Sequence, residues 1–427
     1  MAVARGVPVA GDGHDGRRSR SRNTPFVVDS SRTRTLAAAS FVCFSMAPMT
    51  VGPDEIAPVA ARQFATGELL AVSRFGAGNI NDTYLARFSG CSLVVQRING
   101  RVFPDPRKIA HNMVVVGKCI DAAASGDEFV YPRLLPDRSG QPLWVDAEGS
   151  CWRASVFVES AVTFAVVRDP SHAGEVGRVI GRFHRLTAGA DAGALHDTLP
   201  GYRDCPGHLS RYDSAVAAGT QVGRTRMKAE GVGVMMRFVE ARRDRAAVLE
   251  DARSSGRCRM RVMHGDPKAD NVLIESRSGR GVGLIDFDTV KPGLWAYDFG
   301  DACRSVCNAA GEDAPAGGVV FDMARFHAFA GAYLSEILPA MPGSERPFLA
   351  PSVWLQTFEL GVRFLGDYLA GDIYFRVSDG DRNRRRAMTQ FDLCRDIEKR
   401  MAQIEEAMGE EAAACACMAG DAVGGRQ

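Results

Sequence analysis

The chain reads as an α+β protein of two lobes, a small β-rich N-terminal lobe and a larger helical C-terminal one. Three observations carry that reading. Between residues 70 and 158, short β-prone runs such as Leu93-Val94-Val95-Gln96-Arg97-Ile98 and Trp152-Arg153-Ala154-Ser155-Val156-Phe157-Val158 are broken by Gly and Asn. After Asp169-Pro170-Ser171, Val176, Val179, Ile180, Phe183 and Leu186 form one apolar stripe at helical spacing. Between the helical stretches, Val272-Leu273-Ile274 and Val282-Gly283-Leu284-Ile285 form a short apolar hairpin, entered at Asn271 and left at Asp286.

Composition bounds the reading. With 427 residues, 46% hydrophobic and 24% charged, the chain is long enough to bury large cores. Lys plus Arg number 52 against 51 Asp plus Glu, so no global field favours nucleic acid or an anionic membrane. Eleven Cys are scattered without C-x-x-C spacing, which reads as free thiols in a reducing, cytoplasmic setting. Residues 1–48 hold seven Arg and three Asp, and their longest apolar run is too short to cross a bilayer. That segment is either a disordered tail, an organelle-targeting segment, or sequence ahead of a start at Met46 or Met49. The expected division is a tail at 1–48, a nucleotide-binding N-lobe at 49–158, a catalytic and acceptor-binding C-lobe at 159–409 and a flexible tail at 410–427.

In chain order, residues 74–86 predict strand, tight turn and strand, because Gly76, Gly78, Asn79 and Asn81 interrupt a run that resumes at Thr83-Tyr84-Leu85. A glycine-bearing hairpin lets backbone amides approach phosphate oxygens, so Gly76, Gly78, Asn81 and Thr83 are candidate nucleotide contacts. The run at 93–98 predicts a central strand whose Arg97, or Gln96 beside it, is the candidate for gripping phosphates. Residues 105–124 predict a helix started by Asp105; its acids lie only at the ends, so no mid-helix Glu pairs with a strand cation, and His111 or Asn112 stands in the gap. Glu159-Ser160-Ala161 suits a hinge between the lobes. His184 and Arg185 lie beside the apolar stripe as packing or surface residues. Residues 209–252 predict helix with solvated Arg-rich faces, followed by helices at 321–338, 353–369 and 391–408 and a frayed end.

The chemistry concentrates in His264-Gly265-Asp266-Pro267-Lys268-Ala269-Asp270-Asn271. An Asp and an Asn five positions apart on one loop, followed by Asp286 closing the next strand, match the spacing of a kinase catalytic loop and metal loop. Phosphoryl transfer asks for positioning and charge neutralisation rather than covalent help from the protein. Asp266 is then the candidate base for an acceptor hydroxyl, Asn271 and Asp286 are hard oxygen ligands for Mg2+, and Lys268 is placed to contact the transferring phosphate. Asp288 is either a third ligand or a residue that holds the turn. Protein kinases carry Arg at the position of Gly265, so its absence points toward small-molecule kinases.

At these residues the chain resembles the aminoglycoside phosphotransferase and choline kinase superfamily, whose catalytic loop reads H-G-D-x-x-x-x-N-h-L and whose metal loop reads I-D. It looks most like the branch containing N-acetylhexosamine 1-kinase. The narrower likeness rests on residues 78–84, on 95–99 with 102–106, on 285–293 with 297–301, and on 359–375. The resemblance implies a two-lobed protein-kinase-like fold and ATP- and Mg2+-dependent phosphorylation of a sugar's anomeric hydroxyl. It also implies that Asp298 anchors the catalytic loop and that Arg363, Asp367, Tyr368 and Tyr374 wall the sugar pocket. Departures fall at 267–270 and at the Arg-rich stretch 379–386, which reads as a solvated loop or as a site for an extra anionic group.

Alternatives are an aminoglycoside-like or choline-like acceptor and a catalytically silent kinase-shaped binding protein. Residues 351–400 hold eight Asp plus Glu against nine Lys plus Arg, a balance unsuited to a polycation. The expected partner is a small molecule, a sugar or an amino alcohol, with the chain a monomer or weak homodimer.

Overall fold

A computed structural model of the chain describes residues 52–76, 80–124, 128–313 and 317–424. The expectations placed on residues 1–48 and on Gly78 lie outside the described residues. Helix α1 (Pro53–Phe64) starts on a proline, whose missing N–H costs nothing in the first turn. Its Ala57, Ala60, Ala61 and Phe64 recur at helical spacing and are buried on one face of a five-stranded antiparallel sheet. The sheet comprises β1 (Leu69–Arg74), β2 (Asp82–Phe88), β3 (Ser92–Arg97), β4 (Trp144–Val145) and β5 (Cys151–Val156), in the order β1-β2-β3-β5-β4. Helix α2 (Pro106–Ala123) intervenes after β3 and is capped by Asp105, which accepts from Arg107 N, as its sequence predicts.

Strand alternation divides this sheet cleanly. Tyr84, Ala86, Leu93, Val95, Trp152 and Ala154 pack against α1, so Thr83, Gln96 and Arg153 project from the opposite face. The segment after β5 leads through Glu159 and Ser160 to β6 (Ala161–Val162). That strand joins β8 (Val272–Glu275) and β9 (Gly281–Leu284), with the short β7 (Arg261–Met263) preceding them. Val130 pairs with Gly283 from the other side, and a Cβ at Gly283 would collide with the Val130 carbonyl. Only glycine lets the two backbones close here. β10 (Lys291–Gly293) completes a two-stranded ribbon with β7.

The rest is helical. α3 (Pro170–Thr187) carries the predicted stripe and is capped by Asp169, which accepts from His172 N at 2.8 Å. Residues 205–254 form four short helices, α4 (Cys205–Ala218), α5 (Gln221–Met227), α6 (Val232–Glu240) and α7 (Val248–Ser254), where the sequence pattern suggested continuous helix. Two of the three breaks fall at Gly219 and Gly231, both at positive φ, and the third, between α6 and α7, is a short 3-10 turn at Arg243–Ala247. Then come α8 (Trp295–Cys307), α9 (Met323–Ile337), α10 (Leu349–Ala370) and α11 (Arg382–Gly424). The last of these extends past the expected end at 408, with Glu411 against His327. Among the described residues no helix is long and apolar enough to cross a membrane.

Helix α3 packs on α9 through Gly174, Gly177 and Gly181, a small-residue face that brings the two backbones close. A Cβ at Gly177 would collide with the Phe329 carbonyl. Gly177→Ala is therefore expected to destabilise the protein by about 1–3 kcal/mol through overpacking, because two helix backbones must part. Chemical denaturation checks it, and an unchanged midpoint would refute the close packing of α3 on α9.

Candidate active site

The loop between β7 and β8 is built on Asp298, a wholly buried carboxylate in the first turn of α8. Its Oδ2 accepts from His264 N at 2.6 Å and its Oδ1 from Gly265 N at 2.8 Å. Oδ2 also receives His184 Nε2 at 2.9 Å, while His184 Nδ1 meets the Tyr333 hydroxyl at 2.9 Å. Three donors on one buried carboxylate supply the pairing that burial of a charge demands. His184, read in sequence as a packing residue, is thus a hydrogen-bonded strut between α3, α8 and α9.

Gly265 sits at φ +86°, and a Cβ there would lie 2.7 Å from the Thr289 carbonyl oxygen. That is the physical reason why the loop carries Gly at this position. His264 is buried and kept neutral by burial; Nε2 lies 2.9 Å from the Ile285 carbonyl, so it donates there and Nδ1 is left to accept from Asp266 N. Thr289 Oγ1 donates to the His264 carbonyl at 2.9 Å. The catalytic-type loop and the segment after β9 are consequently stitched together.

Asp266, Lys268, Asn271 and Asp286 are brought into one cluster. Asn271 Nδ2 donates to the Asp266 carbonyl at 2.7 Å and lies 3.3 Å from its Oδ2, which leaves Oδ1 as the atom available to a cation. The Asn271 carbonyl accepts from Ile285 N at 2.8 Å, which ties the loop to the strand end that presents Asp286. Lys268 Nζ stands 3.6 Å from Asp266 Oδ2 and 3.4 Å from Asp270 Oδ2, and Asp266 above all holds its ammonium well above the usual range. Asp286 adopts the left-handed conformation at φ 66°, uncommon for a residue with a Cβ and a mark of sites held by their surroundings. Burial, then the charges of Asp288 and Asp266, push its carboxyl up to about 7.

The upper face of the cleft differs from expectation. Arg97 follows Val95 by two positions, so strand alternation turns it to the α1 side, where Nε and Nη2 donate to Asp82 Oδ2 at 3.0 and 2.7 Å. Gln96 and Thr83 face the cleft and bond each other at 3.1 Å. Asn81 donates to Asp288 Oδ2 at 2.5 Å, and Gly76, at φ +75°, turns the chain beyond β1. Neither His111 nor Asn112 replaces a helix Glu: Asn112 binds the His196 and Val290 carbonyls, and His111 the Ala194 carbonyl. The cation that does reach the cleft is Arg153 on β5, paired with Asp288 at 2.5 Å. Sequence reasoning passed over it because it looked like one residue of an ordinary strand.

A cavity of about 300 Å³ opens beside the loop, between the start of α4 and the end of α10. Arg363, Asp367 and Tyr374 line it together with Tyr202, His208 and Phe375. Tyr202 links it to the loop: burial pushes its phenol up to about 12, with Asp266 adding to the rise. Next to it Arg203 donates through Nε to the Gly265 carbonyl at 3.1 Å and pairs with Asp301 at 2.7 Å. Tyr368 does not line the cavity. One helical step past Asp367, it turns toward Asp381, at 3.2 Å, and lies under Arg226.

Asp367 is spent on structure, accepting from the backbone N–H groups of Ile373, Tyr374 and Phe375 and from Asn383 Nδ2. Arg363 lies against Tyr202, Tyr374 and Phe375, 4.9 to 5.8 Å from their ring centres. Among the described residues no carboxylate pairs with it. No periodic pattern marks Tyr202, Arg203 or His208, which sit at or beside the start of α4.

A family model described as "Phosphotransferase enzyme family" matches residues 71–334. Among solved structures, the chain is similar to a microcompartment-associated aminopropanol kinase (17% identity, 82% of this chain and 98% of that one, TM-score 0.56). It is also similar to an aminoglycoside phosphotransferase from Alicyclobacillus acidocaldarius (17%, 83% and 96%, TM-score 0.52). A choline kinase from Cryptosporidium parvum Iowa II matches at 11% identity over 82% and 96%, with a TM-score of 0.50. These likenesses establish the fold, the two-lobed kinase-like arrangement expected from the sequence.

Beneath the cavity, Glu359 is wholly buried, and neither of its carboxylate oxygens accepts a hydrogen bond; His208 Nε2 is 3.6 Å away and Arg203 3.9 Å. Burial pushes its carboxyl from 4.5 up to about 7, outweighing the opposing pull of Arg203 and Arg363. A carboxyl that binds its proton more tightly when folded contributes stability that is present at low pH and is lost as pH rises from about 4.5 through 7. Glu359→Gln, neutral at every pH, is expected to gain on the parent by about 2–3 kcal/mol between pH 5 and pH 8. Thermal melts of both proteins at the two pH values check it, and parallel melts would contradict it.

Proposed function

The chain belongs to the phosphotransferase enzyme family, and from that premise we propose that it is an ATP-dependent small-molecule kinase acting on a sugar hydroxyl. The favoured acceptor is the anomeric hydroxyl of an N-acetylhexosamine. The observation that carries this reading is the place of Asp266 between a cluster suited to phosphate and metal and a cavity lined by Arg363, with which no carboxylate pairs among the described residues, and by Asp367, whose oxygens are engaged by backbone amides.

The donor set fits magnesium. Asn271 and Asp286 offer hard oxygens from a rigid loop and strand end, and burial first, then the neighbouring carboxylates of Asp288 and Asp266, push the Asp286 carboxyl up. When bound, the ion would supply charge neutralisation at the phosphate oxygens. The remaining work falls to the chain's own groups. Asp266 orients the acceptor hydroxyl and takes its proton. Lys268, held over that carboxylate, faces the transferring phosphate. Gly76, Asn81 and Thr83 cover the nucleotide from above.

Charge in the cavity argues for a neutral polyol. A quaternary ammonium seeks an aromatic cage, yet the rings of Tyr202, Tyr374 and Phe375 already hold the Arg363 guanidinium. A polycation would need free carboxylates, and Asp367 is engaged by three backbone amides. A guanidinium with donors to spare instead suits sugar hydroxyls and an acyl carbonyl.

A panel of hexosamines, amino alcohols and aminoglycosides, read by ADP release and by acid-labile phosphate, tests the assignment. N-acetylhexosamines are expected to turn over and to yield an acid-labile product; preference for an amino alcohol would overturn the sugar reading. Asp266→Asn is expected to lower kcat by about 10²–10⁴-fold with the fold and nucleotide binding retained. Near-parental turnover would exclude Asp266 as the base. Arg363→Met is expected to raise the acceptor KM about tenfold or more with little change in nucleotide KM, the loss of one charged hydrogen bond. An unchanged acceptor KM would remove Arg363 from the pocket.

A further inference from the structure

Kinase-type sites join their sheet to their catalytic machinery through a strand Lys paired with a Glu of the following helix. This chain has neither partner in place. The cleft-facing residue of β3 is Gln96, and α2 carries Asn112 and Met113 where an acid would serve. The cleft is nevertheless bridged by charge. Thr83, Gln96 and Arg153 stand in register across β2, β3 and β5, and hydrogen bonds run along the row: Gln96 Nε2 donates to Thr83 Oγ1 at 3.1 Å and Arg153 Nε to Gln96 Oε1 at 3.0 Å.

From there Arg153 Nη2 reaches Asp288 Oδ1 at 2.5 Å, an ion pair whose two side chains are only 4% and 5% exposed. The second oxygen of the same carboxylate takes Asn81 Nδ2, and Asn81 Oδ1 accepts from Asn99 N at 3.0 Å. One carboxylate thus receives the β5 cation and the amide that precedes β2, two residues after Asp286.

We propose that Arg153 is the positioning residue of the phosphoryl-transfer site, and that its grip on Asp288 aligns the Asp286 loop with the hairpin ahead of β2 in place of the strand Lys and helix Glu. The proposal rests on the phosphotransferase reading above. Arginine suits the task because its guanidinium presents separate nitrogens, Nε hydrogen-bonded to Gln96 and Nη2 in ion-pair contact with Asp288, whereas a Lys ammonium offers one centre at the end of a flexible stem. Truncation of one partner alone strands a buried charge, so removal of both is the gentler change.

The experiment compares the full-length parent with Arg153→Met, Arg153→Lys, Asp288→Asn, the Met/Asn double variant and Asn81→Ala. Thermal melting, Mg·ATP binding by calorimetry, and kcat and KM on the best acceptor of the panel are measured for each. Loss of alignment predicts a fall in kcat of about 10²-fold for Arg153→Met, little change in acceptor KM, and no rescue by Lys. The double variant is expected to be no worse than the poorer single variant, because the two residues act as one unit. If the single variants fail to fold, the charge-balanced double variant carries the test, and Asn81→Ala, at a partly exposed position, is expected to lower kcat in the same sense. Parental kcat and Mg·ATP affinity in a folded Arg153→Met or double variant would overturn the proposal while leaving the kinase reading intact. A parent that neither binds Mg·ATP nor turns over any acceptor would overturn both.

Discussion

The buried carboxylate of Asp298 is the constraint on which the site depends. A charge placed where no water reaches must find its full set of donors within the protein, and this one finds them in the backbone of His264 and Gly265 and in the ring of His184. Because two of those donors belong to the residues just before Asp266, satisfying the carboxylate and shaping the loop are the same event. The third donor carries the constraint outward to α3 and, through Tyr333, to α9. The close glycine-faced packing of those two helices therefore bears on the aim of a carboxylate at the head of the cleft. Gly265 completes the arrangement, since its backbone conformation and its nearness to Thr289 exclude a side chain.

What was legible in the sequence follows from the range of each interaction. Local patterns were plain: the helix caps at Asp105 and Asp169, the stripe from Val176 to Leu186, the apolar hairpin, and the spacing that gathers Asp266, Asn271 and Asp286. Each is settled within a few residues of chain. Arg97 shows how a local pattern misleads. Its place at the end of a central strand was right, but alternation turns one residue in two toward α1, and nothing near residue 97 reveals that a helix formed by residues 53–64 covers that face. The partners of Arg153 lie more than a hundred residues away or across the sheet, so its role becomes visible only in three dimensions. The same holds for Tyr202 and Arg203, which reach the loop from the start of a different helix.

The relation between Asp367 and Tyr368 makes the point at the scale of one bond. Neighbours on a helix point about 100° apart, and here that step carries Tyr368 away from the cavity, to Asp381 and Arg226. Asp367 faces the cavity yet spends its oxygens on the amides of residues 373–375, which shapes the segment that places Tyr374. A carboxylate read as a ligand contact is better understood as the support of an aromatic one. With its oxygens engaged by those amides, Asp367 is not open to an acceptor, and the cations on the cavity lining are Arg363 and Arg211.

That asymmetry separates the two ends of the cleft by their electrostatic demands. Around Asp286 burial and the neighbouring carboxylates of Asp288 and Asp266 raise the carboxyl, and Lys268 and Arg153 do not bring it back to its ordinary range. An added cation is favoured there, and phosphate oxygens would follow it. Around Arg363 aromatic faces surround the guanidinium and, among the described residues, no carboxylate pairs with it, so under the proposed function a neutral, oxygen-rich acceptor suits that end better than a cation. Asp266 stands between the two fields, linked to the first through Asn271 and to the second through the neighbourhood of Tyr202. Under the proposed function, a group in that position would meet a hydroxyl from one side and a phosphate from the other, the arrangement that proton transfer during phosphoryl transfer requires.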